Sequence, residues 1–405
     1  MPKDKLLLAD ADICVKCGLC LPHCPTYQQT QDENESPRGR IALIQAWAGD
    51  QLEASEKLVG HIDNCLLCRS CERVCPAVVP YGRLIDNFRS RRYLQSDTSL
   101  ALSLMKKVSH NKTINRLAQK GLKLYQASRL QKTARLLKLP KLLRLDTIDR
   151  LLPDYHESTL PIQSYYPAQS PIKGEVGLFV GCMGALLDHE TVNAAVKLLT
   201  AVGFNVTMPE QQVCCGALAQ HNGDQKTSGQ LALSTIRAFA DHSLAAIVTI
   251  ASGCGSQLQE YQDTTFAGKV MDISQFLMPS ADALIGRLLP LDATVCLHTP
   301  CSLKNVMRAE KGALNLLKLI PGINIMPLPE TMPCCGSAGS YMLDHPKMAQ
   351  ALLGDLLTVA LEKRPDYLAS SNIGCALHIA AGLRERGVPL EVVHPVVLVA
   401  RQLQL

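Results

Sequence analysis

The sequence predicts a multidomain α+β and α/β protein, with a helical, cysteine-rich domain first and two tandem α/β repeats with parallel sheets after it. Three observations carry this. The run Cys14-Val-Lys-Cys17-Gly-Leu-Cys20-Leu-Pro-His-Cys24-Pro25 returns as Cys65-Leu-Leu-Cys68-Arg-Ser-Cys71-Glu-Arg-Val-Cys75-Pro76. The C-terminal half repeats itself, Cys182 pairing with Cys301, Cys214-Cys215-Gly216 with Cys334-Cys335-Gly336 and Cys254 with Cys375, at offsets of 119, 120 and 121 residues. Within each copy, apolar strand-like segments alternate with helical ones, the pattern of a parallel sheet.

The N-terminal runs are metal-binding. Three thiolates two residues apart can wrap three corners of a 4Fe-4S cubane, and the fourth Cys, followed by Pro, leaves for the other cluster. On that rule Cys14, Cys17, Cys20 and Cys75 hold one cluster, and Cys65, Cys68, Cys71 and Cys24 the second. Zinc sites usually pair two CxxC knuckles, so a third Cys at the next step, twice, argues against zinc. Between the runs, Ser36-Pro37-Arg38-Gly39-Arg40 reads as a helix start, with Ser as N-cap and Pro at the first helical position.

The domains expected are a dicluster domain over 1–97, a basic helical segment and linker over 98–173, and the two repeats over 174–288 and 289–405. From Lys106 to Arg150 thirteen Lys or Arg face only Asp146 and Asp149, and apolar residues recur at helical spacing (Ile114, Leu117, Leu124; Leu130, Ala134, Leu137). Basic amphipathic helices broken near Pro140 follow, either a solvated face or a surface for anionic lipid or an acidic partner. Formal net charge is +5; two clusters, each about two negative charges with their thiolates, bring the loaded protein near neutral. Seventeen cysteines, with Met1-Pro-Lys-Asp running into the first motif, point to a reducing cytoplasm where thiols serve metals. A peripheral position on the inner face of the membrane is compatible with the basic segment. No apolar run reaches the ~18 residues of a spanning helix.

In each repeat a strand (Val176–Val180; Thr294–His298) leads to the first Cys, a second strand (Asn205–Met208; Asn324–Pro327) to the Cys-Cys-Gly turn, and a third (Ala245–Ile250; Tyr367–Ala369) to the last Cys. The cysteines therefore fall at strand ends, where open α/β sheets place ligands. An adjacent Cys-Cys pair is poorly suited to a disulfide but can offer two thiolates to one metal, with Gly allowing the turn.

These repeats resemble the cysteine-rich CCG domain of heterodisulfide reductases and related electron-transfer subunits. The whole order resembles the iron-sulfur subunits of glycolate oxidase (glycolate dehydrogenase), a likeness narrowed by Ser36 to Ile41, by His298 to Cys301 and by Pro333 to Gly336. The full CCG pattern ends in CxxC, whereas this chain has Cys254-Gly-Ser-Gln257 and Cys375-Ala-Leu-His378. Each copy thus keeps four thiolates, Cys182, Cys214, Cys215 and Cys254, and Cys301, Cys334, Cys335 and Cys375, enough for one ordinary cluster each. His378 and Cys296 are candidate substitutes for the missing ligand. The resemblance implies FAD in a partner subunit that oxidises glycolate to glyoxylate, or D-lactate, with electrons passing through this chain to a membrane quinone or similar acceptor. Lactate or glycerol-3-phosphate dehydrogenases, or a thiol-disulfide reductase, are the alternatives. No GxGxxG opens a strand-to-helix unit, no Ser-His-Asp grouping stands out, and His23, His61 and His242 are scattered singly, so hydroxy-acid catalysis in this chain is not expected. No nucleic-acid partner is expected either. Arg38, Arg40, Arg69 and Arg73 are placed to add positive field near the clusters.

Overall fold

The computed structural model describes residues 4–92, 100–127, 130–137, 139–142, 146–153, 163–169, 171–240, 242–332 and 334–404. The 97/98 domain boundary, Lys138, linker residues 154–162 and 170, and Pro333 lie outside the described residues.

The first cysteine runs are carried by helices α1 (Lys5–Asp12), α2 (Pro25–Thr30), α3 (Pro37–Ala48), α4 (Glu56–Asp63), α5 (Ser70–Arg73) and α6 (Tyr81–Arg92). Helix α3 starts where its cap sequence predicts: the Ser36 hydroxyl accepts the Gly39 N–H at 3.0 Å. Only glycine fits at 39, because a Cβ there would sit 1.8 Å from the Glu33 carbonyl oxygen. The core of this region is Leu7, Ile44, Ile62, Leu84, Ile85 and Phe88, with Cys65 and Cys71 on its edge. Each such side chain contributes about 1.5–3 kcal/mol on burial.

The basic stretch forms α7 (Leu100–His110), α8 (Lys112–Ala127), α9 (Leu130–Leu136), α10 (Leu139–Leu142) and α11 (Asp146–Leu151). The break precedes Pro140, which lies in the first turn of α10, where its missing N–H costs nothing. Helix α8 meets the body through polar groups: Asn115 donates to the Cys182 carbonyl at 3.3 Å and Gln119 to the Ala185 carbonyl at 2.8 Å. Its apolar stripe faces the other way, with Leu117 63% and Leu124 65% exposed.

The first repeat is a sheet of β1 (Tyr165–Tyr166), β2 (Gly174–Phe179), β3 (Phe204–Thr207), β4 (Ala246–Thr249) and β5 (Val270–Asp272), in the order β1-β3-β2-β4-β5. All neighbours are parallel except β1 and β3. The second is a parallel sheet of β6 (Thr294–His298), β7 (Asn324–Pro327), β8 (Tyr367–Ser370) and β9 (Glu391–Val393), in the order β7-β6-β8-β9. The six predicted strands are present, and β1, β5 and β9 are additions. Two or three residues long, they carry too short a pattern to read, and β1 is recruited from the linker.

Crossover helices are α12 (Gly181–Leu187), α13 (His189–Ala201), α14 (Ala217–His221), α15 (Gln225–Ala240), α16 (Ser252–Gln259), α17 (Thr264–Ala267) and α18 (Ile273–Leu277) in the first repeat. In the second they are α19 (Glu310–Leu317), α20 (Tyr341–Asp344), α21 (Pro346–Glu362), α22 (Ile373–Glu385) and α23 (Pro395–Gln402). The repeats share one core: Val176 and Leu178 of β2, Val295 and Leu297 of β6, and Val396 and Val399 of α23 belong to one apolar cluster. Lys197 of α13 donates to the carbonyls of Ala400 and Leu403 at 2.8 and 2.9 Å, tying the end of α23 to the first repeat. The strand ends of both sheets, and the cysteines after them, are therefore held in fixed relation.

Candidate iron-sulfur sites

Both N-terminal runs curl in the same way. Lys16 and Gly18 in the first, and Leu67 and Arg69 in the second, take left-handed backbone angles, with φ between 51° and 86°. These reversals between cysteines bring thiols two residues apart to one side of the loop. Cys14, Cys17, Cys20 and Cys75 line a single surface cavity, closed by Ile41, Val79 and Tyr81 and touched by Cys71. Cys17 is exposed. Cys24, Cys65, Cys68 and Cys71 form an inner group, in which burial, and then the nearby Cys68, Cys65 and Cys24 sulfurs, push the Cys71 thiol well above its usual range. The structure thus brings together three cysteines of one run with the fourth of the other, twice.

Arginines differ in how they serve these groups. Arg40 is 1% exposed, bonds Glu35 at 2.6 Å, Thr26 at 3.0 Å and the His61 carbonyl at 2.6 Å, and reaches Cys24 Sγ at 3.9 Å. Arg38 lies against Gly18 and pairs with Glu33, and Arg69 pairs with Glu72. Arg69 also pairs with Glu260 of the first repeat, and Arg73 reaches into the second, to the Lys304 carbonyl at 2.7 Å and Glu310 at 2.9 Å.

In the first repeat, Cys182 Sγ lies 3.7 Å from Cys214 Sγ, and Cys215 is within hydrogen-bond reach of both Cys214 and Cys254. The second repeat copies this: Cys301 is 3.9 Å from Cys334, and Cys335 is 3.0 Å from Cys375. Gly216 and Gly336 both have φ of +87°, and a Cβ at 336 would lie 2.5 Å from the Ala349 carbonyl oxygen. Glycine is needed for the turn that presents the adjacent pair.

Donation to a neighbouring cysteine sulfur, and then burial, push the Cys182, Cys301 and Cys335 thiols well up; Cys215 accepts from Cys214, which opposes the rise, but donation to Cys254 and burial carry it well up too. Cys334 alone is pushed down, because Cys301 and Cys335 donate to it and the Gly336 N–H faces it. Four cysteine sulfurs gathered at each site, half-buried or buried, are a soft donor set that fits a thiophilic metal centre.

Two further residues enter the second repeat's group. An imidazole nitrogen of His298 lies with the Cys335 and Cys375 sulfurs inside 4.8 Å of one another. Burial holds that imidazole neutral, its pKa lowered to about 4. Asn372 donates to Cys375 Sγ at 3.3 Å and accepts the Gly253 N–H at 3.2 Å, so one amide touches a residue of each repeat's site. The suggested substitutes lie elsewhere: His378 faces the Ala349 carbonyl at 3.4 Å, and Cys296 is buried in the sheet core. Sequence reasoning saw His298 only as part of a motif and passed over Asn372, whose role depends on a contact between repeats.

Residues 10–79 match the 4Fe-4S dicluster domain family, and residues 176–259 and 295–380 match the Cysteine-rich domain family, CCG. Over 397 residues, 93% of this chain and 89% of the relative, the sequence is 33% identical to a probable glycolate oxidase iron-sulfur subunit of Bacillus subtilis. Over 92% of this chain and 90% of the relative it is 30% identical to the glycolate oxidase iron-sulfur subunit of Escherichia coli. The chain belongs to the glycolate oxidase iron-sulfur subunit family. A lactate utilization protein A of Geobacillus kaustophilus is 30% identical over 54% of this chain. This chain carries both a 4Fe-4S dicluster domain and two CCG domains. No helix among its described residues is long and apolar enough to cross a membrane.

Proposed function

We propose that this chain is the electron-transfer subunit of a 2-hydroxy-acid dehydrogenase complex, taking electrons from FAD in a partner that oxidises glycolate to glyoxylate and delivering them to a membrane quinone or similar acceptor. The observation that carries the reading is the packing of the inner dicluster group on the second repeat. Cys68 lies on the apolar cluster that contains Cys334, Cys335 and Cys375, its thiol feels Cys334 most among its neighbours, and Asn305 donates to its carbonyl at 2.7 Å. Bound 4Fe-4S clusters supply one-electron steps without bond rearrangement.

The chain's own residues do the rest. Exposed Cys17 sits among exposed Val15 and Leu19, an apolar rim suited to a redox partner. Arg40 sets a fixed positive charge beside Cys24, which favours the reduced, more negative state there. Exclusion of water around Cys71, Cys335 and Cys375 removes the solvent reorganisation that slows electron transfer. The ligand sets follow the swapped rule, with Cys14, Cys17, Cys20 and Cys75 outside and Cys24, Cys65, Cys68 and Cys71 inside.

The outward stripe of Leu117, Leu124, Leu136 and Leu142 among basic side chains supports peripheral attachment to anionic lipid. Anaerobic mixing of the native complex with glycolate should bleach the iron-sulfur absorbance of this chain after flavin reduction, with D-lactate and glycerol 3-phosphate as comparison substrates. Flavin reduced by a hydroxy acid while this chain stays oxidised would contradict the proposal.

A further inference from the structure

The two repeats superpose by sequence, but their sites differ at one strand end. His298 ends β6 three residues before Cys301, and the residue three before Cys182 at the end of β2 is Phe179. The partner across the sheet changes with it. His298 pairs in register with Ser370 and its Nδ1 lies 3.0 Å from the Ser370 hydroxyl, whereas Phe179 pairs with Thr249, whose hydroxyl turns to the Met271 carbonyl at 3.3 Å. Phe179 packs with Cys214 and Cys215 as an apolar wall; His298 brings a nitrogen to the same place.

We propose that His298 is a metal ligand of the second repeat, so that its centre is held by mixed thiolate and imidazole donors, while the first repeat's centre is held by thiolates alone. This rests on the reading that Cys301, Cys334, Cys335 and Cys375 hold an iron-sulfur centre.

Distances fit. Two donors on one tetrahedral metal, with metal–sulfur bonds of about 2.3 Å and metal–nitrogen bonds of about 2.0 Å, lie roughly 3.5–3.8 Å apart. The His298 nitrogen and the Cys335 and Cys375 sulfurs, all inside 4.8 Å of one another, reach that spacing with small side-chain shifts. With Nδ1 engaged by Ser370, the ring is oriented through its second nitrogen in the way that metal-bound histidines usually are. Each CCG copy here lacks the last cysteine of its CxxC, and in the second copy the imidazole supplies a donor in compensation from another strand. A neutral imidazole in place of an anionic thiolate leaves the centre less negative and easier to reduce, as histidine does in other iron-sulfur centres. Electrons would therefore be drawn toward the second repeat, the one that the inner dicluster group touches.

The test uses the full chain purified without oxygen, in four forms: wild type, Cys335→Ser, His298→Phe and His298→Cys. Pulsed paramagnetic resonance on reduced protein, with and without ¹⁵N-labelled histidine, reads nitrogen directly bound to the iron; metal analysis reads occupancy. The wild type should give a strong nitrogen coupling that changes with the label and is lost in His298→Phe. His298→Cys should keep the iron, lose the coupling and move one midpoint potential lower, which guards against a phenylalanine variant that does not fold. Cys335→Ser separates the two layers: unchanged iron there removes the underlying centre and the proposal with it. Iron lost in Cys335→Ser, but no histidine coupling in wild type and an unshifted potential in His298→Cys, would leave the centre in place and overturn His298 as its ligand.

Discussion

Arg40 is a buried cation beside the inner cysteine group, 3.9 Å from Cys24 Sγ. Its side chain is 1% exposed and neutralises Glu35, which also takes bonds from His61 at 2.6 Å and Asn64 at 2.6 Å. Removing one member of a buried pair typically costs about 3–5 kcal/mol, since the other is left charged and unpaired. Arg40→Met should therefore lower the denaturant midpoint strongly, and Arg40→Met with Glu35→Gln should recover part of it; equal loss in both variants would place the cost in packing. Asn372 acts more gently. Asn372→Leu removes a hydrogen bond to the Cys375 sulfur and should lower the potential of the second repeat's centre with iron content kept, as redox titration would record.

Asp272 supplies a pH signature. Its carboxylate caps α18, accepting the Ser274 and Gln275 N–H groups at 2.9 and 3.3 Å, yet burial raises its pKa to about 6. The folded chain thus holds this proton more tightly than the unfolded chain, whose value is near 3.8. Its contribution to stability must fall as pH rises from about 4 to about 6 and stay flat above, by about 3 kcal/mol at 1.36 kcal/mol per unit. Asp272→Asn, which can still cap the helix, should be more stable than wild type at pH 7.5 and no better at pH 4; the same difference at both values would remove Asp272 from the account.

At the scale of elements, α8 and α9 make the clearest statement. Their apolar residues have helical spacing, which ordinarily marks a face packed on the core, but the body is met by Asn115 and Gln119 and the leucines are left outside. Some of the basic residues are satisfied within the chain, Arg135 by Asp149 at 2.6 Å and Arg150 by Glu385 at 3.0 Å. Exposed Leu117, Lys120 and Leu124 are therefore better probes of a lipid surface than Arg135. Co-sedimentation with anionic vesicles should fall several-fold in Lys120→Glu and in Leu117→Gln with Leu124→Gln, and should weaken as salt rises. Binding that ignores both salt and these substitutions would leave α8 and α9 as a solvated face.

Elements also mark what a sequence can say. The cap at Ser36, the six long strands and the Cys-Cys-Gly turns follow from local chemistry and were legible. Strands β1, β5 and β9 add two or three residues each at sheet edges, where pairing with a neighbour, rather than any pattern of their own, makes the strand. His298 and Asn372 were hidden for a related reason. Their partners lie on other strands or in the other repeat, so only the register of β6 with β8 and the contact of α16 with residue 372 reveal them.

For the whole molecule, the arrangement is a continuous body in which the repeats share a core and the dicluster region docks on the second through Asn305, Arg73 and Tyr341, the last bonded to Asn64 at 2.5 Å. That docking sets the inner cysteine group against Cys334. An electron-transfer subunit needs such contiguity, because redox centres in separate, mobile bodies would meet only intermittently. The most direct test is the iron and acid-labile sulfide content of the anaerobically purified chain, in wild type and in Cys24→Ser. The account predicts about eight iron atoms per chain from two 4Fe-4S clusters, more from the repeats, and a loss in Cys24→Ser that falls on the cluster of Cys65, Cys68 and Cys71. A chain that is free of iron, loaded with zinc and still active in its complex would contradict it.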